Sequence, residues 1–230
     1  MMRRLRALTD LWRRYLATRF RPRVSVVLPL AIVVAALPSL GPPVWALALD
    51  GTVALLFVLS LRVWDDWQDR AVDAQRAPER LMVRVPYVRP FLLLGGGVAL
   101  LGCGLVALTR PASSIFVLVG MYVLLAVWYR LRPAGERAGG WGIAANYHVV
   151  LLKYPVLALV VASRSAAAFP GGLAIGDWAG PAALYLGLCL YEYFDDERCR
   201  RNRLASACAV VAGLLLAGGL LTGLTRLVAG

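Results

Sequence analysis

Seven long apolar stretches constrain this chain more than any other feature of its sequence. They cover roughly residues 24–41, 43–63, 90–109, 113–131, 144–164, 177–194 and 204–228. An α-helix needs about 20 mostly apolar residues to cross a bilayer, and it satisfies its own backbone hydrogen bonds there. The pattern therefore predicts an all-α, polytopic membrane bundle with about seven transmembrane helices.

The charge of the chain fits a membrane protein better than a nucleic-acid-binding protein. The sequence is 60% hydrophobic and 17% charged, with a formal net charge of +12, whereas a soluble domain carries about a quarter charged residues. The basic residues lie in short segments between apolar stretches, where they determine topology. We therefore expect membrane lipid, and no nucleic acid, as a partner.

The distribution of basic residues also predicts an orientation. If the N-terminus is inside, all but four of the 25 Lys and Arg residues fall in inside segments, and the four are Arg110, Lys153, Arg164 and Arg226. The positive-inside rule then favours a cytoplasmic N-terminus. We expect residues 1–23 to form a basic cytoplasmic segment and residues 24–230 a single transmembrane domain. The Ala-, Leu- and Arg-rich composition suggests a bacterium with a high-GC genome, so we expect a multi-pass protein of the bacterial inner (cell) membrane.

Acidic residues concentrate in two of the predicted inside segments. Nine of the 13 acidic residues lie there: Asp65, Asp66, Asp69, Asp73 and Glu79 in the first, and Glu192, Asp195, Asp196 and Glu197 in the second. In a helix, the spacing of Asp66, Asp69 and Asp73 places the three on one face. An even number of predicted spans separates the segments, so both lie on the same side of the membrane.

Like charges stacked on one helical face repel each other unless cations neutralise them. Carboxylate oxygens on successive turns suit Mg²⁺, which commonly bridges to substrate phosphates. We expect Mg²⁺ as the cofactor, with these metal ligands: Asp65, Asp66, Asp69, Asp73, Glu192, Asp195 and Asp196. The alternative is that both stretches are solvated loops whose Asp–Arg pairs add little stability.

Basic residues near the first acidic segment complete the predicted chemistry. Arg76 and Arg80 lie within seven residues of Asp73, and Arg is suited to bidentate phosphate contacts. The implied reaction is metal-assisted loss of diphosphate from a lipid substrate. Its expected catalytic residues are Asp66, Asp69, Asp73 and Asp195.

Lys153 lies about ten residues inside a predicted span. A charge at that depth is costly and usually faces a cavity or a partner. Asn146 precedes it by two helical turns. We expect both side chains to line the substrate cavity. His148, the only histidine of the chain, is interpreted as structural.

The first acidic segment resembles the signature of the UbiA-type intramembrane prenyltransferase superfamily. That signature, N-D-x-x-D-x-x-x-D, is matched by Asp65-Asp66-x-x-Asp69-x-x-x-Asp73, and the Pro and Arg that often follow it correspond to Pro78 and Arg80. The second segment is similar to the D-x-x-D-x-x-x-D motif of the family, with Glu192 and Asp195 at its first two acidic positions.

The resemblance implies a helical bundle around a central cavity, in which Mg²⁺ ions bridge both motifs to a prenyl diphosphate. It implies transfer of the prenyl group to a lipophilic acceptor. It also implies that Tyr129 and Arg132 contact the diphosphate, although an interfacial aromatic residue beside a topogenic Arg explains this pair almost as well.

Three features depart from the family pattern. Asp65 replaces an Asn, Cys199 stands where the second motif has its last Asp, and the chain has seven predicted spans where the family typically has nine helices. A second subunit, as in a homo-oligomer, is one way to complete the cavity. Two other functions stay open: a membrane terpene cyclase that needs no acceptor, and a non-catalytic binding or assembly subunit.

Overall fold

The computed structural model describes residues 2–37, 43–132, 140–166 and 178–229. These parts of the chain are helical. In order, the helices are α1 (Met2–Arg19), α2 (Leu28–Ala36, preceded by a π-helical turn at Arg23–Val27), α3 (Val44–Gln68), α4 (Arg70–Arg76), α5 (Leu81–Arg84), α6 (Arg89–Thr109), α7 (Ser113–Leu131), α8 (Gly140–Leu151), α9 (Lys153–Ala166), α10 (Ala179–Asp195), α11 (Glu197–Arg201) and α12 (Arg203–Ala229).

The predicted fold class is confirmed, because the described residues of every predicted span are mainly helical. Four helical segments of the described chain are long and apolar enough to cross a membrane: Val44–Gln68, Arg89–Thr109, Ser113–Leu131 and Gly142–Arg164. The segments Ser25–Ala36 and Arg203–Gly219 are shorter apolar helices. The protein is therefore an all-helical membrane bundle.

Three predicted boundaries differ from the structure. Helix α3 continues past residue 63 to Gln68. The helix of the first span ends at Ala36, and residues 38–41 of its predicted range lie outside the described part of the chain. The fifth span is divided at Leu152 into α8 and α9. Pro155 lies one turn beyond this break and has no N–H to donate to the preceding turn.

Helices α2, α3, α9 and α10 form the centre of the bundle. Helix α3 packs against α2, α6 and α9, while α10 packs against α2, α9 and α12. Their contact surfaces are apolar, with Ile32 and Phe57 fully buried. Large apolar side chains such as Leu93, Leu100 and Phe116 point outward and are exposed. Apolar side chains on the outside of the bundle are expected where its surface contacts lipid.

Two glycines allow α6 to approach α3 closely. A Cβ at Gly95 would lie 2.9 Å from Val63 Cγ1, and a Cβ at Gly102 would lie 3.0 Å from Phe57 Cζ. Small residues on one helix face are a common means of close helix contact in membranes. The seam aligns the start of α6 with the end of α3.

A separate charged cluster lies at each end of α3. Its last turn leads into the first acidic segment, and we call that end of the bundle the acidic end. Near its first turn, Asp50 is buried and contacts Arg110 Nη2 at 2.6 Å and Arg164 Nη2 at 2.8 Å. Arg110 also donates to the Val160 carbonyl at 2.9 Å. We call these three charged residues the Asp50 triad.

The Asp50 triad joins α3, the end of α6 and α9 at the end of the bundle opposite the acidic end. The side chain of Asp50 is 4% exposed and that of Arg110 is fully buried. The sequence pattern predicts the same side of the membrane for Arg110 and Arg164, which agrees with this arrangement.

Replacing Asp50 with Asn should destabilise the bundle. Removing one partner of a buried ion pair leaves the other charge without compensation, at a cost of about 3–5 kcal/mol. The measurement is the free energy of unfolding in detergent micelles, followed by circular dichroism. Asp10→Asn, at an exposed position of α1, is the matched control and should change stability by less than about 0.5 kcal/mol. Equal stability of both variants would contradict a structural role for the triad.

Candidate functional site

The first acidic segment keeps helical hydrogen bonding across the turn between α3 and α4. The Asp69 N–H donates to the Asp65 carbonyl at 2.8 Å, and the Asp73 N–H donates to the Asp69 carbonyl at 2.7 Å. Asp69 lies at the turn itself, with φ −85° and ψ −3°. Four carboxylates therefore extend from just over two helical turns at the acidic end.

Asp65 is bound by residues from α7 and α9. Its carboxylate forms an ion pair with Lys153 Nζ and accepts a hydrogen bond from Tyr129 Oη at 2.5 Å. The side chain of Lys153 is 1% exposed. The break at Leu152 places Lys153 at the first residue of α9, beside the end of α3. The deep charge noted in the sequence therefore has a carboxylate partner.

Asp66 is bound by the N-terminal helix. Arg19 Nε donates to its Oδ2 at 2.8 Å, a second guanidinium nitrogen of Arg19 pairs with Oδ1, and Tyr15 Oη donates to Oδ2 at 2.8 Å. Tyr15 is almost fully buried, and the ring of Trp12 packs against that of Phe91 with centroids 4.7 Å apart. Helix α1 thus docks on the acidic end, a contact that sequence analysis missed.

Asp69 and Asp73 are bound by arginines. Arg132 Nη2 lies 2.6 Å from Asp69 Oδ1, and Arg80 Nη1 lies 2.5 Å from Asp73 Oδ1. Burial raises the pKa of the Asp69 carboxyl above its usual range, although Arg132 acts in the opposite direction. Arg76 is exposed. Of the two arginines predicted near Asp73, only Arg80 forms an ion pair with it.

The second acidic segment lies at the end of α10. Asp195 is the last residue of that helix and is exposed, whereas Glu192 is half-buried. Asp196 caps α11 by accepting from the Arg198 backbone N–H at 2.9 Å, and Arg198 Nη2 contacts its carboxylate at 2.6 Å. Burial alone would raise the pKa of Asp196, but the hydrogen bonds from Arg198 lower it.

Two pairs of residues connect the acidic segments electrostatically. Arg198, the partner of Asp196, also interacts with the charge of Asp69. Asp196 in turn interacts with Arg76. These interactions place both acidic segments at the same end of the bundle, as their spacing along the chain predicts.

A third connection runs through the interior of the acidic end. Glu192 interacts electrostatically with Arg62 and Lys153, and the Lys153 Nζ lies 5.1 Å from the centroid of the Tyr154 ring. Arg62 Nε lies 3.7 Å from Asp66 Oδ1, so it belongs to the same network. The second segment therefore faces the cations that hold the first.

The first four carboxylates do not converge on one point, contrary to the expectation of a shared metal-binding face. Within the described ranges, no group of three Asp, Glu, His or Cys side chains is placed to hold a metal ion. Successive helix positions diverge by about 100°, so Asp65 turns toward α9 while Asp66 turns toward α1. The carboxylate donors suit Mg²⁺ chemically, but each of the four is already paired with a basic side chain in this arrangement.

Four buried polar atoms have no hydrogen-bond partner among the described residues: Arg62 Nε, Trp64 Nε1, Tyr147 Oη and His148 Nε2. Tyr147 interacts electrostatically with Glu192. Buried polar groups in proteins are normally paired, so unpaired ones call for an explanation such as a bound polar group. Two of the four atoms, on Arg62 and Tyr147, belong to residues that interact with the acidic network.

A cavity of about 300 Å³ lies between α8, α10 and α12. It is lined mainly by apolar atoms, with His148, Tyr185, Cys189 and Cys208 at its wall. His148 Nδ1 and Tyr185 Oη are 2.8 Å apart. Cys189 precedes Glu192 by three residues, which places both on one face of α10.

Three further predicted site residues have defined contacts, and several site residues were not predicted. Asn146, predicted to line the substrate cavity with Lys153, accepts a hydrogen bond from Trp128 Nε1 at 3.0 Å. Arg132 has its guanidinium 4.5 Å from the Tyr129 ring centroid, and both residues, predicted to contact a diphosphate, contact the first acidic segment. The residues that sequence analysis missed are Tyr15, Arg19, Arg62, Tyr154 and Arg198.

The Asp65–Lys153 pair should show strong energetic coupling. We expect Lys153→Met to cost about 3 kcal/mol of stability, because it leaves Asp65 buried without its cation. Combining it with Asp65→Asn should recover about 1–3 kcal/mol relative to the sum of the single changes. The measurement is a double-mutant cycle on the free energy of unfolding in micelles. The exposed Asp196–Arg198 pair is the control and should couple by less than about 1 kcal/mol. Equal coupling in the two cycles would show that the buried pair contributes no more than a surface pair.

Comparisons with known proteins identify no relative of this chain. No family model, no curated protein and no solved structure matches it. The likeness to the UbiA-type superfamily therefore rests on the two sequence motifs alone and stays a prediction.

Proposed function

We propose that this protein is a Mg²⁺-dependent membrane enzyme that ionises an isoprenoid diphosphate and transfers its prenyl group to a lipophilic acceptor. One observation carries the proposal: two acidic segments and cations from several separate helices meet at one end of an apolar bundle. An anionic headgroup attached to a hydrocarbon chain matches both parts of that arrangement. The motif resemblance to UbiA-type prenyltransferases supports the same function.

The cations of the acidic end supply the positive charge that a diphosphate requires. Arg80 and Arg132 are half-buried and can present planar guanidinium groups to phosphate oxygens. Arg76 is exposed beside them, and Lys153 lies deeper in the bundle. Together they would bind and orient the leaving group at the boundary between the apolar interior and water.

Carboxylates with the fewest partners are the best candidates to hold the metal. Asp69 and Asp73 are each held by a single arginine, and Asp195 and Asp196 lie at the end of α10 near the surface. Bound Mg²⁺ supplies charge neutralisation that makes diphosphate a better leaving group. Asp65 and Asp66 each accept a hydrogen bond from a tyrosine as well as pairing with a cation, and they would position Lys153 and Arg19.

The apolar interior would protect the reactive carbocation left after diphosphate departs. Tyr129 and Tyr154 lie beside the acidic network, and Trp64 packs against Tyr122 with ring centroids 5.3 Å apart. Aromatic faces stabilise nearby cations, and burial excludes water that would quench the carbocation.

We assign the acidic end to the cytoplasmic side of a bacterial inner membrane. Helix α1, with Arg13 and Arg14 exposed, docks at this end. At the opposite end, Arg110 and Arg164 share the carboxylate of Asp50. The excess of uncompensated basic residues at the acidic end favours this orientation.

A non-catalytic binding or assembly subunit is the second candidate. The observation that favours it is that Asp65, Asp66, Asp69 and Asp73 each already have a basic partner. A purely structural ion-pair network would look the same without ligand, and an activity measurement separates the two functions.

Purified protein should release diphosphate from geranylgeranyl or farnesyl diphosphate in the presence of Mg²⁺ and a lipophilic phenol. We expect Asp69→Asn to lower the rate of release by about 100-fold or more, because charge stabilisation of the leaving group is lost. The measurement is enzymatic detection of released pyrophosphate.

Glu79→Gln is the control, since Glu79 is an exposed acid in the same segment, and it should keep the wild-type rate. No Mg²⁺-dependent release from either diphosphate, with protein that remains folded by circular dichroism, would favour the non-catalytic subunit.

Mass spectrometry of the organic products separates transferase from cyclase. Without any acceptor, a terpene cyclase converts the prenyl diphosphate into a cyclic hydrocarbon or alcohol, whereas a transferase forms a prenylated product only when the phenol is present. We expect product formation to depend on the acceptor. A cyclic product in its absence would replace the transferase with the cyclase.

A further inference from the structure

His148 has one ring nitrogen that is hydrogen-bonded and one that is not. Its Nδ1 lies 2.8 Å from Tyr185 Oη, whereas its Nε2 is buried without a hydrogen-bond partner among the described residues. A neutral imidazole has one nitrogen that donates and one that accepts, and buried polar atoms are normally paired. The unpaired Nε2 therefore indicates a place for a polar group of a ligand.

This histidine lies on the wall of the cavity of about 300 Å³ between α8, α10 and α12. The polar side chains that line the cavity are His148, Tyr185 and the thiols of Cys189 and Cys208, and the remaining described lining is apolar. A buried water typically makes about three hydrogen bonds, which a lining of this composition supplies poorly. The cavity is better suited to a mainly apolar molecule that offers one hydrogen-bonding group.

Charge and volume exclude several constituents of a membrane as ligands. None of the described residues that line the cavity is charged, so the lining offers no cation to the headgroup of a fatty acid or an anionic phospholipid. Its volume lies near the lower end of ligand pockets, at about 300 Å³. That space admits a molecule of one or two rings but not a whole phospholipid. A small neutral ring compound is therefore the best match.

The cavity borders on the lipid-facing surface of the bundle. Val211 lines the cavity and is more than half exposed, and Val210 and Leu214 beside it on α12 are exposed as well. His148 belongs to the segment Gly142–Arg164, which is long and apolar enough to cross a membrane. A lipophilic molecule can therefore enter the cavity from the bilayer, and a tail too long for the cavity can remain among the lipid chains.

We propose that this cavity binds the ring of a lipophilic quinone, with a ring oxygen hydrogen-bonded to His148 Nε2. The two tautomers of the imidazole favour this class of ligand. When Tyr185 donates to Nδ1, Nε2 carries the proton and donates to a quinone carbonyl. When Nδ1 donates to Tyr185, Nε2 accepts a hydrogen bond from the hydroxyl of the reduced quinol. One site thus matches both forms of the same ring.

The quinone site is separate from the acidic end, because none of the described residues of the two acidic segments lines the cavity. Quinone binding is therefore independent of the proposed prenyl transfer. Asp69→Asn, which should lower diphosphate release, should leave quinone affinity unchanged.

The experiment uses the fact that His148 is the only histidine of the chain. Wild-type protein labelled with ¹⁵N-histidine and free of any histidine tag gives ring-nitrogen NMR resonances from this residue alone. In detergent micelles it is titrated with duroquinone, whose fully methylated ring resists addition of thiols, with the reduced form durohydroquinone, and with durene, the hydrocarbon of the same skeleton.

Duroquinone should shift the Nε2 resonance in a saturable way and leave Nε2 as the protonated nitrogen. Durohydroquinone should move the proton to Nδ1, so that the two nitrogens exchange their donor and acceptor character. Durene offers no hydrogen-bonding group and should leave the Nε2 resonance in place.

His148→Phe keeps an aromatic ring at this position but removes both nitrogens. By isothermal titration calorimetry in micelles, it should bind duroquinone at least about 5-fold more weakly than wild-type protein, the loss expected for one hydrogen bond. Its affinity for durene should not fall. Tyr191→Phe changes an exposed tyrosine of α10 and, as the matched control, should reproduce the wild-type affinities.

An Nε2 resonance that neither duroquinone nor durohydroquinone shifts would overturn the proposed quinone site. An equal response to durene would overturn it as well, because the cavity would then bind a hydrocarbon without a hydrogen bond to His148. Both titrations use wild-type protein, so they are decisive even if His148→Phe does not fold.

Discussion

Four carboxylates within nine residues, placed at the end of a helix in an apolar bundle, repel one another unless each is neutralised. In the structure, each of the four carboxylates is paired with a basic side chain. Lys153 brings the start of α9 to Asp65, and Arg19 brings α1 to Asp66. Arg132, just beyond α7, reaches Asp69. The packing of these elements at the acidic end follows from a need for charge compensation that the sequence of one helix creates.

The helical bundle could be predicted because its signal is one of length and composition. Apolar stretches of membrane length leave the backbone few alternatives to helix, and the described residues of every predicted span are mainly helical. The break between α8 and α9 was not predicted. Pro155 could have indicated it, because a proline inside an apolar helical pattern commonly ends or kinks the helix. The helical spacing of the acidic residues already favoured a helix beyond residue 63, and α3 continues to Gln68.

The candidate site was predicted by residue type more successfully than by contact. Lys153 was predicted as a site residue because a charge inside a membrane span is energetically unfavourable. Its partner Asp65 lies 88 residues away, and no local sequence pattern links the two. For Tyr15 and Arg19 the sequence gives a weaker indication. They lie in a segment before the first predicted span in which aromatic residues share one helix face. Partner choice at this end depends on which side chains the tertiary fold brings together. For that reason the expected shared face of four carboxylates became a set of separate ion pairs.

The distance between the Asp50 triad and the acidic end can be compared with the thickness of a bilayer. Asp50 and Asp65 are fifteen residues apart on one continuous helix, which corresponds to about 22 Å along its axis. The hydrocarbon layer of a typical bilayer is about 30 Å thick. At least one of the two ionic clusters must therefore lie below headgroup level, shielded from acyl chains by surrounding helices, or the lipid must thin around the protein. Longer lipid chains make the hydrocarbon layer thicker, so the charged clusters of this bundle lie deeper in it.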